Sequence, residues 1–508
     1  MSAGVDARTT AGLETGATQE TGATSEANEM SEGQQKSYKV YLGGKWIETG
    51  EKIQVTDPAT GEKFASVSAL DRDQVRSAFD AAQAAFPAWR GITAKERGAF
   101  LFRVADEVHK RADEIARLIT LENGKPLAQS KGEMAMTEDH LRWFAEEGRR
   151  AYGRVIPHQA PGKRNMVVKT PIGVVGAIAP WNFPLVLGIR KAAPALAAGC
   201  PVVLKPSSQT PLSSIAFAEC VEAAGIPGGV FQVVIGSARM IAEEFLTNPI
   251  CRKITFTGST EVGRELIRGA AQAIKPLSLE LGGLAPLLVF DDCNLDQAVQ
   301  ETLVAKFRNT GQSCIAANRI YVQRSIHDEF VKRFVAGVQK LKTGPGLEPG
   351  VDIGPLINQQ ALDAALAQIE EAAGRGGRVL CGGKRMGSSG YFLEPTVIDG
   401  VSGTSLCMRE ETFAPIAPIT TFDTEDEAIA LANSSEYGLS AYAMTRDIAR
   451  IFRLAERIEA GTLGINDGAP TTSNAPFGGV KQSGWGRELG SEGLEAFLET
   501  KHVSFGGM

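Results

Sequence analysis

The sequence predicts an α/β protein built on parallel sheets covered by helices on both faces. Three observations predict it. Short apolar runs rich in β-branched residues, at 172–178, 201–204, 231–235 and 253–256, alternate with Ala-rich helical stretches such as 189–198 and 213–224. A second series of the same rhythm runs from 287 to about 464. The strand candidates are almost continuously apolar, which fits sheets buried on both sides rather than half-exposed ones. With 508 residues, the chain is too long for one ordinary core, so two or more domains are expected.

Along the chain, the first 36 residues come first and stand apart. They are rich in Thr, Ala, Gly, Ser and Glu, hold no aromatic residue, and set six acids against Arg8 and Lys36 for a net charge of −4. Such a segment buries too little apolar surface to offset its ordering entropy, and 1–37 is expected to be a disordered tail. It lacks both the apolar core of a secretory signal and the Arg-rich, acid-poor character of a transit peptide, so a cytoplasmic location is expected. Order is expected from Tyr38, with a short strand at 38–42 before Gly43-Gly44. Asp71 with Gln74 predicts a helix start, after which Val75, Phe79, Ala82 and Phe86 recur at helical spacing. Thr93 with Glu96 forms a predicted capping box, and Asn123-Gly124 stops the helical region. The βαβ series then begins near Lys169.

Composition excludes several functions. Hydrophobic residues make up 43% and charged residues 22%, as in ordinary soluble enzymes. A formal net charge of −6 leaves no basic footprint for nucleic acid. The longest uncharged stretch, 170–189, is interrupted by Pro171, Pro180, Asn182 and Pro184, so no membrane-spanning helix is expected. Seven cysteines without a C-x-x-C pair point to a reducing compartment. His109, His140, His158, His327 and His502 are scattered, so no metal site is expected. No repeat of solenoid length is present.

Three segments carry candidate chemistry. Phe307-Arg-Asn-Thr-Gly-Gln-Ser-Cys314 places a cysteine after a Gly-containing turn and before an expected helical stretch, where backbone N–H groups would stabilise a thiolate. A lone cysteine is more often an inert buried hydrophobe. Pro180-Trp-Asn-Phe-Pro184 clamps Asn182 at a strand's carboxyl end, where an amide can meet an oxyanion or merely close a turn. Leu279-Glu-Leu-Gly-Gly283 places Glu280 in an apolar context that raises a carboxyl pKa towards that of a general base, although a structural ion pair is the alternative.

Together these segments resemble the aldehyde dehydrogenase superfamily. The resemblance runs from about Tyr38 to the C-terminus and includes Leu204-Lys-Pro-Ser207, Phe256-Thr-Gly-Ser-Thr260, Glu410-Glu-Thr-Phe413 and Pro476-Phe-Gly-Gly479 in the family's order. Glu280 and Cys314 keep the family spacing of 34 positions. The resemblance implies that Cys314 attacks the aldehyde, that Asn182 and the Cys314 N–H hold the oxyanion, and that Glu280 activates the water that releases the acid. Acylating relatives that use coenzyme A lack this glutamate, so hydrolysis is implied. A structural relative that has lost catalysis would show erosion at these positions, and there is none.

The implied cofactor is NAD or NADP, bound without a G-x-G-x-x-G fingerprint, of which the chain has none. Trp181, Lys205, Ser208, Gly258, Ser259, Glu411 and Phe413 are the implied cofactor residues, with Ser259 and its helix N-terminus at the pyrophosphate. Relatives that prefer NAD often carry glutamate where this chain has Ser208, which favours NADP slightly. Ala414 replaces the family's usual glycine, and Ala316 replaces a second cysteine found in some relatives.

Within the superfamily the chain most resembles succinate-semialdehyde dehydrogenases, through 190–200, Phe307-Arg-Asn309 and 443–453. That resemblance implies a carboxylate held by Arg190 and Arg308, with a further contact from Thr471. The expected substrate is succinate semialdehyde, with glutarate semialdehyde, lactaldehyde or another small aldehyde as alternatives. The implied architecture has a Rossmann-type cofactor domain (38–146 and 167–281), an α/β catalytic domain (282–481) and a β-flap (147–166 and 482–508). The flap would join subunits into a homodimer or homotetramer.

Overall fold

The structure is a computed structural model that describes residues 36–507, so the expected tail lies almost wholly outside the described residues. Its predicted end is corrected at two positions. Lys36 and Ser37 belong to the strand Lys36–Tyr38, which pairs in parallel with Lys63–Ser68. The next two strands, Val40–Leu42 and Lys45–Ile47, turn back on each other at Gly43-Gly44. Both predicted capping boxes form, at Asp71 on the helix Arg72–Gly91 and at Thr93 on Ala94–Lys110. Gly124, at φ 88°, ends the helix Ala112–Asn123 in the left-handed conformation that glycine adopts without strain.

The first large sheet has six strands. Its spatial order is Phe231–Val233, Val202–Lys205, Val174–Ile178, Cys251–Thr257, Leu277–Glu280 and Gly484–Trp485. The first five are mutually parallel, and the last is an antiparallel edge. Strand order reverses between Val174–Ile178 and Cys251–Thr257. A crevice therefore opens beyond the carboxyl ends of these two strands, where ligands bind in doubly wound sheets.

The second sheet has seven strands, ordered Arg378–Cys381, Thr396–Asp399, Ile416–Phe422, Arg319–Gln323, Pro286–Val289, Ser440–Met444 and Thr462–Ile465. All are parallel except the first, an antiparallel edge. Two separate apolar clusters fill the space on this sheet, while one larger cluster, with Phe79, Trp89, Phe217 and Phe231, fills the first.

A three-stranded antiparallel sheet joins Arg154–Ile156, Arg164–Pro171 and Leu498–Phe505. The anticipated flap boundaries need correction here. Arg164–Pro171 crosses the boundary drawn at 166 because all eight of its residues pair with Leu498–Phe505. Residues 482–497 lie outside this sheet: Gly484–Trp485 edges the first sheet, and the helix Gly490–Glu495 packs against Val186–Ala198. Among the described residues no helix is long and apolar enough to cross a membrane, and no cluster of His, Cys, Asp and Glu could hold a metal ion.

Candidate active site

Cys314 sits on a loop between the helix Leu295–Phe307 and the strand Arg319–Gln323. Three successive residues ahead of it are left-handed: Asn309 at φ 50°, Thr310 at 60° and Gly311 at 75°. A non-glycine residue in this region costs about 1–3 kcal/mol, so the loop needs support. Polar contacts supply it. The Asn309 amide donates to the carbonyls of Asn182 (2.7 Å) and Gln312 (3.1 Å), and its backbone N–H donates to Gln129 Oε1 at 2.7 Å. Thr310 Oγ1 accepts from Gly354 N at 3.0 Å, and Gln312 Oε1 accepts from Ile357 N at 2.9 Å. A side chain at Gly311 would run into the Ala414 carbonyl.

No helix follows Cys314, which corrects the expected source of thiolate stabilisation. Residues 315–318 turn instead, with Ala317 N–H donating to Ala305 O and Asn318 N–H to Ala285 O, and then enter the strand. Burial pushes the Cys314 thiol up to about 12; the Glu411 charge adds to the rise and Arg190 opposes it. The thiol is therefore protonated near neutrality and needs a base to become a nucleophile.

Asn182 is buried with its carbonyl held twice, by the Asn309 amide and by Lys125 Nζ at 2.7 Å. Its own Nδ2 donates to Gln312 O at 3.2 Å, which directs the amide towards the Cys314 loop. Lys125 is in turn paired with Glu133 at 2.7 Å, and both are fully buried. Glu133 Oε1 accepts from the Leu185 and Val186 N–H groups, capping the helix Val186–Ala198.

Glu280 ends the strand Leu277–Glu280 and is 4% exposed. Among the described residues it makes no ion pair, and its Oε2 has no hydrogen-bond partner. Burial, then the nearby Glu488 charge, holds its pKa well above the usual carboxylate range. Glu488 is tied to the buried Lys191, whose Nζ also donates to Thr257 Oγ1 at 2.6 Å.

Two cavities share Cys314 as a wall. One, of about 200 Å³, is lined by Trp181, Asn182, Gly258, Ser259, Glu411 and Phe413. Its residues follow the carboxyl ends of the first sheet or precede the amino ends of the second. The other is lined by Phe183, Arg190, Arg308, Thr471 and Phe477.

The sequence model of the aldehyde dehydrogenase family matches residues 46–503. The chain belongs to the aldehyde dehydrogenase family. It is 50% identical over 472 residues to a glutarate-semialdehyde dehydrogenase of Pseudomonas aeruginosa, covering 92% of this chain and 98% of that one. It is 49% identical over 467 residues to the NADP-dependent succinate-semialdehyde dehydrogenase of Escherichia coli, covering 92% and 97%. A solved structure described as an E. coli NADP-dependent enzyme superposes with a TM-score of 0.92 at 48% identity, covering 93% of this chain and 98% of that one.

In this aldehyde dehydrogenase the residues anticipated at the cofactor divide into two groups. Trp181, Gly258, Ser259, Glu411 and Phe413 line the cavity, with the Trp181 and Phe413 rings 5.4 Å apart and edge-to-face. Ser259 caps the helix Thr260–Ala271. Glu411 Oε1 is buried without a partner, and burial raises this carboxyl to about 8. Lys205 and Ser208 lie at and beyond the end of the next strand and do not line the cavity. Burial lowers Lys205 to about 8, and its Nζ donates to Pro206 O.

Arg190 and Arg308 are brought together: burial lowers the Arg308 pKa first, and the nearby Arg190 charge lowers it further. Arg190 stacks on Phe477 and makes no hydrogen bond or ion pair among the described residues, with Nε buried and unsatisfied. Arg308 stacks on Phe183, and among the described residues its guanidinium donates only to the Met136 sulfur. Sequence reading missed Lys125, Glu133, Lys191, Asn309 and Glu488. Asn309, just ahead of Thr310-Gly311, carries a left-handed turn signal that was there to be read. The others show no local signal, because each acts on a segment at least eight residues away.

Proposed function

We propose that this enzyme oxidises a small aldehyde carrying a distal carboxylate, most simply succinate semialdehyde to succinate, through a thioester on Cys314. One observation carries the reading: Arg190 and Arg308 line the cavity at Cys314, no carboxylate lines it with them, and neither makes an ion pair among the described residues. A buried guanidinium without an anion is costly, and a substrate carboxylate removes that cost. The relatives named for succinate and glutarate semialdehyde support the same chemistry.

The residues of the other cavity fit a dinucleotide. Glu411 offers an unpartnered buried oxygen to a ribose hydroxyl, and Ser259 opens a helix whose N-terminus suits a phosphate. Ser208 carries no carboxylate to repel a 2′-phosphate, so NADP is favoured over NAD. When bound, the nicotinamide supplies the acceptor for the hydrogen and electron pair that leave the substrate carbon.

Cys314 Sγ bonds to the aldehyde carbon as its thiol proton passes to a water molecule, and Asn182 Nδ2 with the Cys314 N–H holds the oxyanion. Oxidation leaves a thioester. Glu280, near enough for its charge to raise the Cys314 thiol, takes a proton from water, whose oxygen attacks the thioester carbon. The C–S bond breaks, the thiol is restored, and the acid departs. In this reading the first sheet carries the cofactor, the second carries Cys314, and the three-stranded sheet joins subunits into a dimer or tetramer in the cytoplasm.

The test is kcat/KM for succinate semialdehyde, glutarate semialdehyde and butanal. Arg190→Ala and Arg308→Ala should each raise KM for the carboxylated substrates about ten- to hundredfold and spare butanal. Equal losses on all three, or a wild type that prefers butanal, would assign the arginines a structural role.

A further inference from the structure

At the opposite end of the first sheet lies a wide cavity of about 790 Å³. It opens at the amino ends of Val174–Ile178 and Cys251–Thr257, the two strands whose carboxyl ends carry Asn182 and Ser259. A strand rises about 3.3 Å per residue, so roughly 20 Å of sheet separates this cavity from the catalytic one. Four cations line it: Arg90, Lys169, Arg252 and Lys501; no acidic residue does.

In a chain of net charge −6 this concentration is unusual. Like charges gathered around one exposed space raise the local potential, which favours an anion between them. Lys169 is paired with Glu495 beside the cavity. Arg90, Arg252 and Lys501 make no side-chain hydrogen bond or ion pair among the described residues, although the chain has 59 acidic residues to draw on. Arg90 rests on the Phe86 ring, which leaves its guanidinium donors free. The stem of Arg252 lies across Gly173: a Cβ there would come 2.6 Å from Arg252 Cγ, and φ at Gly173 is +125°. The backbone is thus shaped to admit this arginine.

We propose that this cavity is a binding site for a small polyanion, a ligand carrying two or more phosphate or carboxylate groups. Two guanidinium groups offer planar, paired donors that match either group, and Lys501 adds a third charge. Pyrophosphate and citrate are the probes that separate the two sources.

Isothermal titration of the full-length enzyme with each probe, at low and high sodium chloride, tests the proposal. The wild type should bind one or both with a stoichiometry of one per subunit, more weakly at high salt. The Arg90→Gln/Arg252→Gln variant should bind about tenfold or more weakly while keeping its KM for NADP and its kcat. Retained KM and kcat also show that the variant is folded. Absence of binding by the wild type overturns the proposal; so does undiminished binding by the variant, because the pyrophosphate would then sit at the dinucleotide site. A variant that changes oligomeric state, alongside a wild type that binds neither probe, also overturns it and assigns the cavity to a subunit contact.

Discussion

Glu280 has one carboxylate oxygen that no neighbour satisfies, in a site already loaded with the Glu488 charge. Its proton is therefore held to higher pH than that of a surface glutamate. Only the ionised form accepts a proton from water, so deacylation should speed up as pH rises through the Glu280 pKa and slow as pH falls. Glu280→Gln should abolish that pH limb. In rapid mixing it should give a burst of reduced cofactor near one per active site with little turnover after it, and Cys314→Ala should give neither phase. A burst-free Glu280→Gln variant that turns over normally would remove Glu280 from the mechanism. Ser208 is the second informative residue. Placing a carboxylate there repels a 2′-phosphate, so Ser208→Glu should move the NADP-to-NAD ratio of kcat/KM towards NAD by about tenfold or more. A wild type that ignores NADP would contradict this.

The Cys314 loop shows how an element is made rigid against its own preferences. Asn309, Thr310 and Gly311 run left-handed, and the first two cost energy that contacts to Asn182, Gln129 and Gly354 offset. The same contacts lock Cys314 to the turn that carries Asn182, so strain and alignment are two aspects of one arrangement. Gly311→Ala adds a strained φ and a collision with the Ala414 carbonyl. It should lower stability by about 1–3 kcal/mol in urea unfolding. It should also lower kcat about a hundredfold, because displacements near 1 Å have that effect on aligned groups. Unchanged kcat in a stably folded variant would show that the loop's conformation does not align Cys314.

At the scale of the molecule, the site exists because two sheets meet end to end. Carboxyl ends of the first bring Asn182, Ser259 and Glu280, and amino ends of the second bring Cys314 and Glu411. The third sheet leaves the strand Leu498–Phe505 at an edge, with Tyr152 and Val155 about three-quarters or more exposed near its other side. In the proposed assembly, the unpaired ladder groups at one edge of this sheet and the exposed apolar side chains near the other are the surface that a second chain would cover. Tyr152→Lys/Val155→Glu should reduce the assembly to smaller species in light scattering, with an unchanged circular dichroism spectrum. An unchanged mass would locate the subunit contacts elsewhere.

Local chemistry made much of this legible in the sequence. Capping boxes at Asp71 and Thr93, the left-handed Gly124 and the apolar runs of the first sheet depend on neighbours a few residues away, and each formed as read. Motif order was enough to bring Cys314, Glu280 and Asn182 forward as candidates. The helix expected after Cys314 failed because Ala305 and Ala285 carbonyls capture the N–H groups of Ala317 and Asn318, a long-range competition that helix propensity does not register. The same holds for the side chains around the site. That Glu280 makes no ion pair among the described residues, that Lys125 and Glu133 brace the Asn182 turn, and that Arg190 and Arg308 face one cavity with no carboxylate in its lining are properties of packing. Segments tens to hundreds of residues apart supply them, and only the folded chain decides which charges are left without partners.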